Sequence, residues 1–220
     1  MRIAIVGGTG KEGQGLALGW ARAGQQVIIG SRAAERAREA AAAINAAVGR
    51  PVATGLSNPE AAAAADIAVV TVPYAAHEAI LKDIQAAVQG KIVVDVTVPL
   101  DPEKPRRLRI PPGGSATEEA QALLGPETRV VAAFQNISYK QLAEGATGDC
   151  DVLVCGDDPE ARRQVIGLAG LLGLRGLDAG PARNARIVEG LTVLLIGINA
   201  RYKATEAGIR VTGIPEGGKS

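Results

Sequence analysis

The sequence is poor in aromatic residues, in cysteine and in net charge, and each shortage narrows what the protein can be. Aromatic side chains make up 2% of its 220 residues, with one tryptophan and one phenylalanine, while 47% of the residues are apolar. The core must therefore be built mainly from Ala, Val, Leu and Ile. A formal net charge of +1 gives no reason to expect a nucleic acid or a membrane surface as a partner.

Only Cys150 and Cys155 could form a disulfide. They flank a strand-like segment at an odd spacing, which directs side chains to opposite faces, so we expect two reduced, buried thiols and no metal site. The N-terminus leads directly into a strand, without the pattern of a signal peptide. The longest apolar run, residues 191–198, is far shorter than the roughly 20 residues of a membrane span. We therefore expect a soluble, cytoplasmic protein.

Strand-like and helix-like segments alternate along the chain, which predicts parallel strands joined by right-handed crossovers. The predicted strands are residues 2–6, 26–29, 52–54, 66–72, 91–96, 129–134, 151–155 and 174–177. Helices are predicted over residues 13–23, 33–48, 159–172 and 182–202, with another ending near Val88. The fold class expected is α/β, with a Rossmann-type doubly wound parallel sheet over residues 1–148 and a smaller C-terminal α/β domain over residues 149–220.

Two segments break this alternation, residues 97–114 and the part of the chain after Gly148. Residues 97–114 contain five prolines, which exclude regular structure; they end at Ser115-Ala116-Thr117-Glu118, a capping-box pattern that opens a helix. The C-terminal helix predicted over residues 182–202 is apolar on most sides, whereas a surface helix shows a single apolar stripe. We expect it to be buried between the domains or in a dimer contact.

A glycine motif follows the first predicted strand. Residues 8–13, GTGKEG, fit G-x-G-x-x-G, in which the glycines allow a tight turn, a close approach of the pyrophosphate and packing of the helix on the strand. The free N–H groups at the helix start then face the phosphates. Because the motif follows a strand and opens a helix, it predicts dinucleotide binding.

The end of the second strand indicates which dinucleotide is bound. An NAD enzyme usually has a carboxylate there for the ribose hydroxyls, but this chain has Ser31 and Arg32. Arg36 follows one helical turn later and can face the same point. A guanidinium pairs with a phosphate through two parallel hydrogen bonds, so the missing acid favours NADP, with its 2′-phosphate.

The sequence also resembles the family of F420-dependent NADP oxidoreductases, over residues 1 to about 213. The matching segments, in chain order, are MRIAIVGGTGKEGQGLAL, GSRAAER, DIAVVTVPY, KIVVDVTVPL, VCGDDPEAR, LDAGPARNARIVEGLT and AGIRVTG. The resemblance implies a two-domain enzyme, usually a homodimer, with NADP on the first domain and the deazaflavin coenzyme F420 between the domains. Some members of the family carry His at the position of Gln135 and Pro at the position of Ser138.

The resemblance also implies positions for the two ligands. The NADP phosphates are expected at Thr9, Gly10, Lys11 and Glu12, and the 2′-phosphate at Ser31, Arg32 and Arg36. The nicotinamide end is expected to border Val72, Ala76, Val98 and Tyr139, and the deazaflavin to lie near Ala207.

The implied reaction moves a hydride between C4 of the nicotinamide and C5 of the deazaflavin, so both reacting carbons belong to the ligands. The protein has to stack the two rings, and we predict no catalytic residue. His77 is expected to be a surface or supporting residue. The cations Lys104, Arg106, Arg107 and Arg109, together with the helix start at Ser115, are candidates for attracting the anionic tail of F420.

Two other functions remain open. A reductase of a small carbonyl or imine could use the same NADP domain, with Tyr139, Lys140, Tyr202 or Lys203 as the proton donor that such chemistry needs. A non-catalytic NADP sensor is the other alternative.

Overall fold

The computed structural model describes residues 1–145 and 149–214, and within these residues one eight-stranded sheet forms the centre of the molecule. Its strands are β1 (Arg2–Val6), β2 (Gln26–Ser31), β3 (Ala53–Ser57), β4 (Ile67–Val70), β5 (Ile92–Asp95), β6 (Arg129–Ala132), β7 (Asp151–Gly156) and β8 (Arg175–Asp178). The helices are α1 (Lys11–Arg22), α2 (Ala34–Val48), α3 (Asn58–Ala64), α4 (Tyr74–Ile84), α5 (Ala116–Leu124), α6 (Tyr139–Glu144), α7 (Pro159–Leu171) and α8 (Ala185–Tyr202). Short 3₁₀ turns at Gln85–Val88 and Ala182–Asn184 extend α4 and precede α8.

The strand order, β3-β2-β1-β4-β5-β6-β7-β8, confirms the predicted Rossmann-type fold. From β1 the chain moves outwards to β2 and β3, and then returns to place β4 on the other side of β1. In open α/β sheets, ligands bind outside the carboxyl ends of the strands at such a reversal of strand order. The binding site is therefore expected at the carboxyl ends of β1 and β4.

One join in the sheet is antiparallel. β6 pairs with β7 in antiparallel orientation, through Val131 with Gly156 and Ala132 with Cys155, whereas β7 and β8 are parallel. The link after β6 stays at the carboxyl edge of the sheet, where Tyr139 of α6 lies against Lys11 at the start of α1. A strand that enters the sheet from that edge must run opposite to β6.

The division into two domains stays a prediction. The boundary predicted at residue 148 lies outside the described residues, and β7 and β8 extend the same sheet as the first six strands. The short antiparallel join between β6 and β7 is where the C-terminal part meets the rest.

Helices cover both faces of the sheet, and the two large aromatic side chains meet on one of them. Trp20 of α1 and Phe134 pack edge to face with their ring centres 5.6 Å apart, and both are fully buried. The indole N–H of Trp20 donates to the carbonyl oxygen of Leu168 in α7 at 3.0 Å, which ties the C-terminal part to α1. Both cysteines are free, buried thiols.

The C-terminal helix α8 differs from its expected burial in this single chain. Ala185, Val188 and Val193 are buried, but Ile187 is 67% and Leu194 61% exposed. An apolar side of α8 therefore faces outwards. Across the described residues, no helix has both the length and the apolar character to cross a membrane.

Candidate dinucleotide-binding site

The glycine loop joins β1 to α1 and is held in a fixed shape by backbone contacts. Gly7 has a φ of +73°, a left-handed conformation that glycine adopts without strain. The N–H of Gly8 donates to the carbonyl oxygens of Ile5 and Gly30. A Cβ at Gly13 would lie 2.7 Å from Thr71 Oγ1 and 2.8 Å from the Cα of Gly8, so only glycine lets α1 pack this closely on the loop.

The N-terminus of α1 is open to an external anion. Among the described residues no side chain caps α1 at Gly10, and the N–H groups of a first helical turn have no partner within the helix. A Cβ at Gly10 would have the Gly7 carbonyl oxygen, 3.9 Å away, as its nearest neighbour. The loop therefore leaves room for a ligand at the place where the helix dipole favours negative charge.

A cavity of about 530 Å³, here called the glycine-loop cavity, joins the loop to the end of β2. Predicted residues that line it are Thr9, Gly10, Ser31, Arg32, Arg36, Val72 and Ala76. Arg32 and Arg36 are exposed, and Ser31 Oγ accepts a hydrogen bond from the N–H of Ala33 at 3.3 Å. Hydroxyl and guanidinium groups thus face the position where an NAD enzyme would present a carboxylate.

A second cavity, of about 330 Å³, lies at the carboxyl ends of β4, β5 and β6 and is here called the strand-end cavity. It shares Gly10, Thr71, Val72 and Pro73 with the glycine-loop cavity. Lys11, Glu12 and Val98 line it on the loop side, and Gln135 and Thr192 on the other. A ligand bound at the glycine loop can therefore extend into the strand-end cavity without leaving the protein surface.

The side-chain amide of Gln135 is held in a fixed orientation at the wall of the strand-end cavity. Its side-chain Nε2 donates to the backbone oxygen of Asp95 at 2.8 Å. Because a backbone carbonyl only accepts hydrogen bonds, the amide cannot be reversed. Its buried Oε1 has no partner within the described part of the chain.

The segment after β6 is held against α8. Phe134 has a φ of +72°, which is strained for a bulky side chain and typical of functional sites. Thr192 of α8 donates from its Oγ1 to the backbone oxygen of Gln135 at 2.9 Å and accepts from Asn136 Nδ2 at 3.0 Å. These bonds bring α8 to the edge of the strand-end cavity.

Glu12 is the acidic group of the strand-end cavity. Its side chain starts from the first turn of α1, and its buried Oε1 has no hydrogen-bond partner in the portion of the chain that is described. Burial raises the pKa of Glu12 to about 8. Burial thus favours the protonated form of this carboxyl group.

His77 is buried rather than at the surface. Its Nε2 lies 2.7 Å from Asp95 Oδ2, and Asp95 Oδ1 accepts from the N–H of Thr97 at 3.0 Å. Burial lowers the pKa of His77, but the contact with Asp95 outweighs burial, and the pKa is raised overall. The pair fixes the chain as it leaves β5 towards Val98, which supports the role expected for His77 as a residue that holds the site in place.

The proposed anion site at the start of α5 is already occupied by a carboxylate of the chain itself. Glu189 accepts from the N–H groups of Ala116 and Thr117 at 2.9 and 3.1 Å, and Ser115 Oγ accepts from the N–H of Glu118 at 3.0 Å. The expectation that Ser115 and the helix start hold an external anion is therefore wrong.

Arg109 of the proline-rich segment lies over the ring of Tyr74, 5.3 Å from its centre.

The structure brings most of the predicted residues together, with two in different surroundings. Tyr139 lies beside the strand-end cavity, with Lys11 Nζ 5.2 Å from the centre of its ring. Ala207 lines neither cavity; its N–H donates to Asn199 Oδ1 at 3.0 Å in the segment after α8. Its role near the deazaflavin stays a prediction.

The cavity residues that were not identified from the sequence include Asn58, Thr71 and Thr192. Asn58 Oδ1 accepts from the N–H of Gly7 at 3.1 Å, and Thr71 Oγ1 donates to the Val6 oxygen at 3.1 Å. The S-x-x-E pattern of residues 57–60 is a capping box and could have placed Asn58 at a helix start. Thr71 and Thr192 carry no such local signal.

Comparison with known proteins relates the chain to one family along its whole length. The family described as NADP oxidoreductase coenzyme F420-dependent matches residues 2–99. The F420-dependent NADP reductase of Methanocaldococcus jannaschii is 42% identical to the chain, over 97% of this chain and 99% of that protein. The protein of the same name from Methanothermobacter thermautotrophicus is 43% identical, over 98% and 97%.

A solved structure shares the fold. A crystal structure from Arthrobacter, described as a candidate F420-dependent NADP reductase, superposes with a TM-score of 0.82 at 26% identity. The match covers 96% of this chain and 99% of that one. The sequence and the structural relationships both extend through α8, and so include the part that follows β6.

Proposed function

The chain belongs to the family of F420-dependent NADP oxidoreductases, and from that membership we propose that it transfers a hydride between NADP(H) and coenzyme F420. The observation that carries the proposal is the relationship at 42–43% identity to F420-dependent NADP reductases over nearly the whole of each chain. The two cavities share lining residues at the glycine loop, which supports a placement of the two ligands next to each other.

The NADP half is assigned from the glycine-loop cavity. The pyrophosphate lies against the first turn of α1, at Thr9, Gly10, Lys11 and Glu12, where unpartnered N–H groups favour an anion. The 2′-phosphate pairs with Ser31, Arg32 and Arg36. The nicotinamide then enters the strand-end cavity, which Val72 and Val98 border, with Ala76 and Tyr139 beside it. The uncapped helix start and the open space at Gly10 support this placement.

The deazaflavin is assigned to the outer part of the strand-end cavity, between the ends of the strands and α8. Gln135 lines this space, and Asp95 fixes the orientation of its side-chain amide. Residues 149–220, as the smaller domain, close this side through Thr192 and bring Ala207 towards the deazaflavin. The assignment of Ala207 has only the family resemblance to support it.

The protein contributes position rather than covalent chemistry. The hydride leaves C4 of one ring and arrives at C5 of the other, so the donor and the acceptor are both substrates. The fixed β-strand ends, the His77–Asp95 pair and the bonds of Thr192 hold the walls of the cavity rigid. Rigid walls keep the two rings at a reacting distance, which can supply several kcal/mol of the barrier reduction.

We also propose that the enzyme is a homodimer in which α8 faces its counterpart. Ile187, Leu194 and Tyr202 are 67%, 61% and 74% exposed in the single chain, and large exposed apolar faces usually mark an interface. The cytoplasmic location predicted from the sequence stays a prediction.

The test is the loss of the visible absorbance band of F420 when the purified protein is mixed with F420 and NADPH. We expect rapid bleaching with NADPH and little with NADH, because the end of β2 offers cations and no carboxylate. NADPH binding without bleaching would contradict the proposal and favour a carbonyl or imine reductase, or an NADP sensor.

A further inference from the structure

Glu12 lines the strand-end cavity, and the proposed hydride transfer gives no role to its side-chain carboxyl group. Glu12 lines the cavity together with Val72 and Val98, the residues assigned to the nicotinamide side. Its Oε1 is shielded from solvent and has no partner among residues 1–145 and 149–214. Buried carboxyl oxygens normally have a hydrogen-bond or charge partner, so a bound ligand is the candidate for the missing one.

The two redox forms of NADP differ in charge at this place. The oxidised nicotinamide ring carries a positive charge, and the reduced ring is neutral. An opposite charge within about 4–6 Å favours the ionised form of a carboxyl group. The oxidised ring should therefore stabilise the Glu12 carboxylate, whereas the reduced ring should not.

Among residues 1–145 and 149–214, no cation forms an ion pair with Glu12. On its own helix, Lys11 Nζ lies over the ring of Tyr139 in α6. At the end of β5, Asp95 is bonded to His77, and on α8 Glu189 is bonded to the start of α5. Burial is the cause of the raised pKa of Glu12, and the helix dipole of α1 acts in the opposite direction. A cationic ring would be the first compensating charge next to this carboxyl group.

We propose that Glu12 couples a proton to the redox state of the bound dinucleotide, ionising when NADP⁺ binds and remaining protonated when NADPH binds. The preference of the cleft for NADP⁺ over NADPH then rises with pH. In mildly acidic to neutral solution the cleft favours the reduced form and releases NADP⁺ more readily. This inference rests on the proposed placement of the nicotinamide.

The experiment compares dissociation constants for NADP⁺ and NADPH on the intact protein, by titration calorimetry in several buffers. Both ligands carry the same adenosine 2′-phosphate, so the ratio of the two constants isolates the nicotinamide. For a group with a pKa of about 8 in the free protein, the ratio Kd(NADP⁺)/Kd(NADPH) should fall about tenfold between pH 7 and pH 9. At about pH 8 NADP⁺ binding should release more protons than NADPH binding, because the pyrophosphate, which opposes ionisation of Glu12, is common to both ligands.

Two variants separate Glu12 from other groups. Glu12→Gln keeps the shape of the side chain and removes its titration, so the ratio should become independent of pH. Glu189→Gln is the matched control, because it changes another buried carboxyl group, one that lies at the start of α5, and it should keep the slope of the unaltered protein.

The possible outcomes distinguish the inference from its premise. A flat ratio in the unaltered protein, or the same slope in Glu12→Gln, overturns the role of Glu12 while leaving dinucleotide binding intact. A flat ratio is also expected if Glu12 only accepts a bond from the carboxamide, which both redox forms share. Failure of both dinucleotides to bind overturns the proposed function as well.

Discussion

A methyl group at position 10 should weaken dinucleotide binding without unfolding the protein. Gly10 has φ −77° and ψ 164°, a conformation that alanine adopts freely. The nearest atom to an added Cβ is the Gly7 carbonyl oxygen, at 3.9 Å. The methyl group of Gly10→Ala would therefore contact no side chain and would occupy the space assigned to the pyrophosphate.

The expected size of the effect follows from the hydrogen bonds at stake. A hydrogen bond to a charged group contributes about 1.5–3 kcal/mol. Losing one such bond to the phosphate raises the dissociation constant about 10- to 150-fold, at 1.4 kcal/mol per factor of ten. The free energy of unfolding should change by less than about 1 kcal/mol, since glycine and alanine at an N-cap differ in their contribution to helix stability by about this amount.

Gly13→Ala is the matched variant in the same loop. Its Cβ would lie 2.8 Å from the Cα of Gly8, and the backbone must move to make room. Overpacking costs about 1–3 kcal/mol, against about 1 kcal/mol gained from helix propensity. This variant should lose both stability and NADPH affinity. NADPH fluorescence titration measures the affinity of both variants, and urea unfolding measures their stability. If Gly10→Ala binds NADPH with a dissociation constant within twofold of that of the unaltered protein, the placement of the phosphates is refuted.

Three further predictions concern specificity, pH and assembly. Arg32→Ala should raise the KM for NADPH about tenfold or more and leave the KM for NADH within about twofold, because only NADPH carries the phosphate that pairs with the guanidinium. Steady-state kinetics that show an equal rise in KM for both dinucleotides would contradict the assignment. The free energy of unfolding should fall as pH rises from about 5 to 8. Burial raises the pKa of Glu12 to about 8 and that of Glu189 to about 7. In this range the folded state therefore holds protons that the unfolded chain has released. Urea unfolding across this pH range should show that the free energy of unfolding of Glu189→Gln depends less steeply on pH, by up to about 1.4 kcal/mol per pH unit. A free energy of unfolding of the unaltered protein that rises with pH would refute the reasoning. Leu194→Asp should convert a dimer to monomers in sedimentation velocity, and an unchanged mass would exclude this face of α8 from the interface.

Helices and strands with a strong local sequence pattern were predicted, and those with a weak pattern were missed. The strand at residues 2–6 was predicted with its observed bounds, because it is a continuous β-rich apolar run buried on both faces. The short helices α3 and α6 were not predicted. α3 has the sequence NPEAAAA, whose alanines form no apolar stripe, and α6 has too few residues to show a helical period.

The orientation of β7 could not be read from the alternation of strands and helices. Alternation favours crossovers, but the direction of β7 depends on which edge of the sheet the preceding link occupies. That edge is set by contacts of α6 with α1, such as the one between Tyr139 and Lys11. These residues are far apart in the sequence, and no local pattern reports their contact.

The residues of the candidate site also fall into those that a local motif predicts and those that only the packing of distant elements brings to the site. The glycine loop and the Ser31–Arg32–Arg36 set were predicted from short motifs, and the structure places them around one cavity. Thr71 and Thr192 reach the site only because strand order and packing bring their elements to it. The burial of His77 against Asp95 likewise depends on the neighbouring positions of α4 and β5, so the sequence favoured a more exposed histidine.

The two helix starts discussed here show what a local anion signal can and cannot predict. Both α1 and α5 begin with N–H groups that have no acceptor within the helix, at the positive end of a helix dipole. At α5 the chain supplies its own anion, Glu189, from α8. At α1 no described side chain caps the helix, and Gly10 leaves the approach open. A helix start therefore predicts where an anion is favourable, and only the packing of distant elements decides whether that anion is a residue of the chain or a ligand.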